Sequence, residues 1–178
     1  MTSPLIILDR DGVINHDSDN YIKSEYEWIA IESSLVAINR LTAAGFIIAV
    51  ATNQSGITRR LFTLDTLDKI HTKMLTTVSR AGGSIDCIEY CPDHPDSAGP
   101  DRKPATGMVS KILNRYSANA HDTWFVGDTI ADMQCATNAG CKPALVLTGK
   151  GERTIKSVEL DKTIPVFNDL NSFVDCIL

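Results

Sequence analysis

The sequence predicts an α/β fold: a three-layer, Rossmann-like parallel sheet with helices on both faces, forming a single domain over residues 1–178. Two observations predict it. Short apolar β-type runs alternate with stretches of helical periodicity from one end of the chain to the other, the pattern of successive βα units. The runs are also continuously apolar, as strands covered on both faces must be. At 178 residues, 43% hydrophobic and 22% charged, the chain suits one globular unit with a substantial core. No internal repeat, low-complexity tract or linker divides it.

Taken in order, the first strand is Leu5–Leu8. Ser33 or Ser34 is expected to cap a helix carrying Leu35, Ile38 and Leu41, which Gly45 stops. A second strand runs over Phe46–Ala51. Leu64, Leu67, Ile70, His71, Met74, Leu75 and Val78 then form a stripe of period 3.6, ended by Gly82-Gly83. The third strand is Ile85–Tyr90. Cys91 to Pro104 follows as an irregular loop with four prolines (Pro92, Pro95, Pro100, Pro104), and a loop of that length inside a compact domain is usually functional. A helix from about Thr106 to Tyr116, a strand at Trp124–Val126 and a helix at Ile130–Ala139 stopped by Gly140 come next. Ala144–Leu147 and Ile164–Phe167 read as strands, and a last helix follows Asp169.

Charge and composition narrow the function. The net charge of −5 weighs against a nucleic-acid or anionic-membrane partner. No apolar run approaches the length of a bilayer span, and Leu5–Leu8 is too short for a signal-peptide core, so a cytoplasmic protein is expected; a monomer is expected as well. Five cysteines, odd in number and scattered, fit reduced thiols better than a disulfide framework. Cys135 and Cys176 fall at apolar helical positions and read as small core residues.

The chemistry lies just after the strands. Asp9 and Asp11, separated by one residue at the end of the first strand, would point to the same face of an extended backbone. They repel each other unless a cation or a shared proton relieves them. After the second strand comes Thr52-Asn53-Gln54-Ser55-Gly56, after the third-strand loop Arg102-Lys103-Pro104, and after the fourth strand Gly127-Asp128-Thr129-Ile130-Ala131-Asp132. A parallel sheet brings all four sets to its carboxyl edge, where such sheets bind ligands. Asp9, Asp11 and Asp128 offer oxygen ligands to a hard cation such as Mg²⁺. Thr52 offers a hydroxyl, and Lys103 a positive charge. A carboxylate nucleophile cannot approach a phosphate dianion without such compensation.

Asp9-x-Asp11-Gly12, Thr52-Asn53, Lys103-Pro104 and Gly127-Asp128-x-x-x-Asp132, in that order, resemble the four motifs of the haloacid dehalogenase superfamily of phosphatases. The resemblance covers nearly the whole chain. The fuller strings Leu-Asp-Arg-Asp-Gly-Val-Ile-Asn, Ala-Thr-Asn-Gln-Ser-Gly-Ile, Tyr-Cys-Pro-x-His-Pro, Arg-Lys-Pro-x-x-Gly-Met and Leu-Thr-Gly-Lys-Gly are similar to the heptose 1,7-bisphosphate 7-phosphatases and their histidinol-phosphate phosphatase siblings. The resemblance implies an Mg²⁺-dependent phosphatase of cell-envelope sugar synthesis. Asp9 would be the nucleophile that forms an aspartyl-phosphate. Asp11 would protonate the departing sugar oxygen and then activate water. Asp128, with Asp9 and the backbone carbonyl of Asp11, would hold Mg²⁺, supported by Asp132. Thr52 and Lys103 would stabilise the transferring phosphoryl group, and Arg102 would recognise a second, distal phosphate. Asp17-Ser18-Asp19-Asn20 matches the substrate-contacting loop, with Asn53, Gln54, Ser55 and Thr129 as further substrate contacts. The intervals Gly12–Phe46 and Gly56–Arg102 leave no room for the cap domain that gates many members.

Two departures from the family stand out. Many relatives fold the third-strand loop around a structural zinc with a Cys-x-His pair and a following Cys-x-Cys. This chain has Cys91, then Asp93 with His94 one position later, and Ser97-Ala98-Gly99-Pro100-Asp101 without a cysteine before Arg102. Cys91 and His94, even with Cys87, do not supply four good ligands, so structural zinc is expected to be absent. Thr129 stands where some relatives carry a lysine.

Singly, each motif has a plainer explanation. Thr52 could end an ordinary strand, Arg102-Lys103 could be a solvated basic pair, and Asp128 and Asp132 could serve a helix N-terminus. Four such coincidences at four strand ends favour catalysis. The rival from another class is a receiver-type phospho-aspartate switch. That would place the phosphorylated Asp after the third strand, where this chain has Cys91-Pro92, and it would be shorter. His16, His71 and His121 carry no motif, and His71 and Trp28 read as packing residues.

Overall fold

The computed structural model describes residues 3–178, so the first two positions of the expected unit lie outside the described residues. Six strands, β1 (Leu5–Leu8), β2 (Ile47–Asn53), β3 (Cys87–Cys91), β4 (Trp124–Gly127), β5 (Lys142–Val146) and β6 (Val166–Phe167), form one sheet in the order β3-β2-β1-β4-β5-β6. Every neighbouring pair is parallel. The helices are α1 (Glu32–Ala43), α2 (Leu64–Arg80), α3 (Gly107–Tyr116), α4 (Ile130–Asn138), the short α5 (Gly151–Thr154) and α6 (Leu170–Ile177).

The alternation of side chains along a strand builds the three layers. Ile6 and Leu8 of β1, with Ile48 and Val50 of β2, pack with Ile38 and Leu41 of α1, Ile70 and Met74 of α2 and Phe173 of α6. Leu5 and Ile7, with Ala49 and Ala51, pack on the opposite face with Val109 and Ile112 of α3 and Cys135 of α4. Both faces of β1 are therefore dry, which is why its four residues are apolar without interruption. Truncating Leu8 or Ile48, each fully buried, to alanine would cost about 2–5 kcal/mol.

The strand order runs outward in opposite directions from the adjacent pair β1 and β4. That reversal opens a crevice at their carboxyl ends, and the loops after β1, β2, β3 and β4 all reach its rim.

The structure departs from the sequence reading in several places: β2 begins at Ile47 and runs on through Thr52 and Asn53, β3 is shifted to Cys87–Cys91, and β6 holds only Val166–Phe167. The α1 backbone turns helical after Ile31, so neither Ser33 nor Ser34 caps it. Ser34 is instead buried inside the helix, and its hydroxyl donates to the Val13 carbonyl at 2.6 Å. Strand β5 begins at Lys142 and includes Pro143. It tolerates the proline because Pro143 precedes the β6 pairing, whose first register partner on β5 is Leu145, so the missing N–H breaks no ladder bond. A 3₁₀ turn at Pro95–Ser97 gives the proline-rich loop local order. Cys176, read as a core residue, is exposed. It lies six residues past the buried Leu170, about 240° round the helix and away from the Phe173 and Val174 face. Cys135 is buried as expected, and Trp28 packs into the core with 1% exposure.

Candidate active site

The expected residues converge on a cleft of about 350 Å³ at the β1–β4 switch. It is lined by Asp9 and Asp11 after β1, by Asp17, Ser18 and Asp19 of the following loop, and by Thr52, Asn53, Gln54 and Ser55 at the end of β2. Arg102, Lys103, Asp128, Thr129 and Asp132 complete the expected set. Asn20 is the exception. It is exposed in a turn closed by the Tyr21 N–H on the Ser18 carbonyl (3.1 Å), and Tyr21, at φ +64°, lines the cleft in its place.

Asp9, Asp128 and Asp132 each offer a carboxylate oxygen within 4.8 Å of the others. The Lys103 ammonium bridges two of them, 3.0 Å from Asp9 Oδ1 and 2.6 Å from Asp132 Oδ1, and donates to the Ala51 carbonyl at 2.8 Å. Lys103 is 4% exposed. Asn53 fixes its backbone by a reciprocal pair, Nδ2 to the Lys103 carbonyl and Lys103 N–H to Oδ1, both 3.1 Å. Asn53 is thus spent on placing the lysine.

Three carboxylates against one ammonium leave an excess charge of −2 when all are ionised. Burial, then repulsion from Asp132, pushes the Asp9 carboxyl up to about 7 despite Lys103. Burial, with Asp132 and Asp9, likewise holds Asp128 well above the usual carboxylate range. Burial works against the charged lysine, but Asp132 and Asp9 prevail and hold Lys103 well above its ordinary value. Asp128 Oδ1 is buried with no hydrogen-bond partner among the described residues. Asp132 Oδ2, by contrast, accepts from the Asp128 and Thr129 N–H groups (3.2 and 3.0 Å) and from the Thr129 hydroxyl (2.6 Å), closing a capping box at the start of α4.

Asp11 is turned away from this cluster. Its carboxylate accepts from Arg10 Nε and Nη2 (3.0 and 2.9 Å), Asn15 Nδ2 (2.9 Å) and Gln54 Nε2 (2.9 Å). Burial alone would raise it, but the Arg10 charge and the Asn15 and Gln54 bonds outweigh burial and hold it below the usual range. Gln54 also donates to Thr52 Oγ1 at 3.0 Å, so its amide links two cleft residues. Arg102 Nη1 donates to the Asp93 carbonyl at 2.8 Å, which ties it to the proline-rich loop.

The segment after β5 contributes what the sequence reading missed. Lys150 lines the cleft, donates its backbone N–H to Asp128 Oδ2 (2.7 Å) and ion-pairs with Asp17 (2.9 Å), while Arg153 pairs with Asp19 (2.9 Å). The Thr148 hydroxyl donates to the Gly12 carbonyl at 2.5 Å. Gly12 (φ +84°) and Gly149 (φ +59°) pack so closely that a Cβ on either would collide with Asp128 Oδ2. The string Leu147-Thr148-Gly149-Lys150-Gly151 was the one available signal for this contact.

The expected zinc-loop residues lie apart from the cleft. Cys87 and Cys91 are buried in the apolar layer against α3, where burial raises both thiols, and His94 Nδ1 accepts the Asp96 N–H at 3.2 Å.

Known proteins share this sequence pattern and this fold. A family model described as "HAD-hyrolase-like" matches residues 101–173. The chain is 49% identical over 177 residues to the D-glycero-beta-D-manno-heptose-1,7-bisphosphate 7-phosphatase of Neisseria meningitidis, covering 98% of this chain and 94% of that one. The enzyme of the same name from Pseudomonas aeruginosa is 46% identical over 178 residues, covering 100% and 99%. Among solved structures, the D,D-heptose 1,7-bisphosphate phosphatase of B. bronchiseptica, complexed with magnesium and phosphate, superposes with a TM-score of 0.95 at 45% identity, covering 98% of this chain and 97% of that one. The chain therefore belongs to the heptose-1,7-bisphosphate 7-phosphatase family of haloacid dehalogenase-like hydrolases.

Proposed function

We propose that this protein is a phosphatase that removes the 7-phosphate from D-glycero-D-manno-heptose 1,7-bisphosphate through an aspartyl-phosphate on Asp9. The acid cluster carries this reading: an all-oxygen donor set with an excess charge of −2 and one orphaned buried oxygen, Asp128 Oδ1, suits a single divalent cation. Asp9, Asp128 and the Asp11 backbone carbonyl would hold Mg²⁺, the ion bound in the B. bronchiseptica relative. Asp132, whose carboxylate already braces Lys103 and the start of α4, supports that site. When bound, the ion supplies positive charge against the phosphoryl oxygens.

The protein's own residues do the rest. Asp9 attacks phosphorus, and Lys103 and the Thr52 hydroxyl offset charge on the phosphoryl oxygens. The phosphorus–oxygen bond to the sugar breaks as Asp11, held by Arg10 at the cleft wall and carrying a proton, passes that proton to the sugar oxygen. Asp11 then takes a proton from water, which displaces phosphate from Asp9. Arg102 recognises the distal phosphate, and Asp17, Ser18 and Asp19 contact the sugar.

On this reading the zinc-type loop needs no structural metal. Asp93 Oδ2 accepts the Gly99 N–H at 2.9 Å and its carbonyl holds Arg102, bonds that brace the loop from within. The net charge of −5 suits a small soluble substrate in the cytoplasm rather than nucleic acid.

A panel of phosphate esters assayed with Mg²⁺, including both anomers of the heptose bisphosphate and histidinol phosphate, tests the reading. The bisphosphate should be the best substrate. A preference for histidinol phosphate would replace the proposed substrate, and a stable phospho-protein without turnover would replace the enzyme with a switch.

A further inference from the structure

Among the described residues, six aspartates line the cleft (Asp9, Asp11, Asp17, Asp19, Asp128, Asp132), against three cations, Arg102, Lys103 and Lys150. A substrate with a second phosphate adds to an already negative cleft, so every unspent cation counts. Lys103 is spent on Asp9, Asp132 and the Ala51 carbonyl. Arg102 comes from the β3 side of Asp9. On the β4 side, position 129 is a neutral threonine whose hydroxyl points at Asp132 (2.6 Å). That leaves Lys150.

Its placement suits an anion contact. The Lys150 backbone N–H on Asp128 Oδ2 (2.7 Å) pins its Cα beside the acid cluster, and the side chain spans from there to Asp17 Oδ2 at 2.9 Å, on the loop wall of the cleft. The side chain is 38% exposed, so the ammonium is open to a ligand as Lys103 is not. An ammonium has three donors, and the pair with Asp17 uses one, leaving two for a phosphoryl oxygen. Arg153, paired with Asp19 at 2.9 Å, ties the same loop down one turn further on.

We propose that Lys150 binds the second, non-reacting phosphate of the substrate from the β5 side, opposite Arg102, sharing its ammonium between that phosphate and Asp17. This rests on the reading of the substrate as a sugar bisphosphate.

The test compares kcat/KM for the heptose bisphosphate with that for a simple monophosphate ester, with Mg²⁺, in the wild type, Lys150→Met and Lys150→Arg. The methionine variant keeps the backbone bond to Asp128, and thermal melting checks its fold. Its bisphosphate-to-monophosphate ratio should fall about 10- to 100-fold, the worth of one charge-assisted hydrogen bond, and arginine should restore most of it. An equal loss on both substrates in Lys150→Met, or a ratio that arginine does not restore, would make Lys150 a brace for the loop and overturn the inference. An unchanged ratio in Lys150→Met would overturn it too. A wild type with no preference for the bisphosphate would defeat the activity reading itself, before any variant is made, and this inference with it.

Discussion

The fully buried Arg10 guanidinium grips the Asp11 carboxylate as a fork, Nε to Oδ1 at 3.0 Å and Nη2 to Oδ2 at 2.9 Å. Its remaining nitrogen, Nη1, lies 3.3 Å from Nε2 of His71, a buried residue of α2. Burial, then the Arg10 charge, pushes His71 down to about 4, so the imidazole is neutral and accepts the arginine proton. The chain from His71 through Arg10 fixes the resting place of the proposed proton-transfer residue.

Arg10→Lys removes the fork but keeps a charge, and a point ammonium cannot hold both carboxylate oxygens. The expected result is a fall in kcat of about 100-fold with KM little changed, because a misplaced proton donor affects the chemical step rather than binding. Steady-state kinetics alongside circular dichroism check it. A rise in KM with kcat retained would assign Arg10 to substrate binding instead.

His71 also sets a pH dependence of stability. Its native value near 4 lies below the ordinary 6.5, so between those values the unfolded chain binds a proton that the native protein does not. The native state is favoured above about pH 6.5, and that advantage is lost as pH falls toward 4, on the order of 3 kcal/mol in all. Melting temperatures from about pH 7 down to about pH 5 should fall less steeply in His71→Gln than in the wild type. Parallel slopes would remove His71 from the account.

The acid cluster predicts the response to magnesium. Asp9, raised to about 7, and Asp128 hold protons in the metal-free native state that the unfolded chain has already lost, so their contribution to stability falls as pH rises from about 4 toward 7. A divalent cation needs those carboxylates ionised. Mg²⁺ should therefore raise the melting temperature more at about pH 8 than at about pH 5.5, and Asp128→Asn should lose most of that gain. A magnesium effect that is equal at both pH values would contradict the proposed donor set.

Much of the fold was legible in the sequence because β1, β2 and β4 are buried on both faces and leave uninterrupted apolar runs. Strand β5 was half-read because Lys142 and Pro143 look unlike a strand, and Pro143 is admitted only by the late start of β6. The cleft residues that follow strand ends were legible for the same topological reason. Lys150, Tyr21 and the Arg10–His71 pair were not. Lys150 depends on the chance meeting of the β5 and β1 loops at Gly12 and Gly149, and His71 sits on a helical stripe with nothing local to mark it. Asn20 stands outside the cleft lining because a motif names a loop, whereas the turn at Tyr21 decides which side chain faces inward.

The central claim is that phosphorus bonds to Asp9, and rapid acid quench of the turning-over enzyme followed by peptide mass spectrometry tests it most directly. The expected result is one phosphoryl group on the peptide containing Asp9, present during turnover and absent in Asp9→Asn, which should be folded and inactive. Phosphate found on another residue, or wild-type-like turnover by Asp9→Asn, would contradict the account.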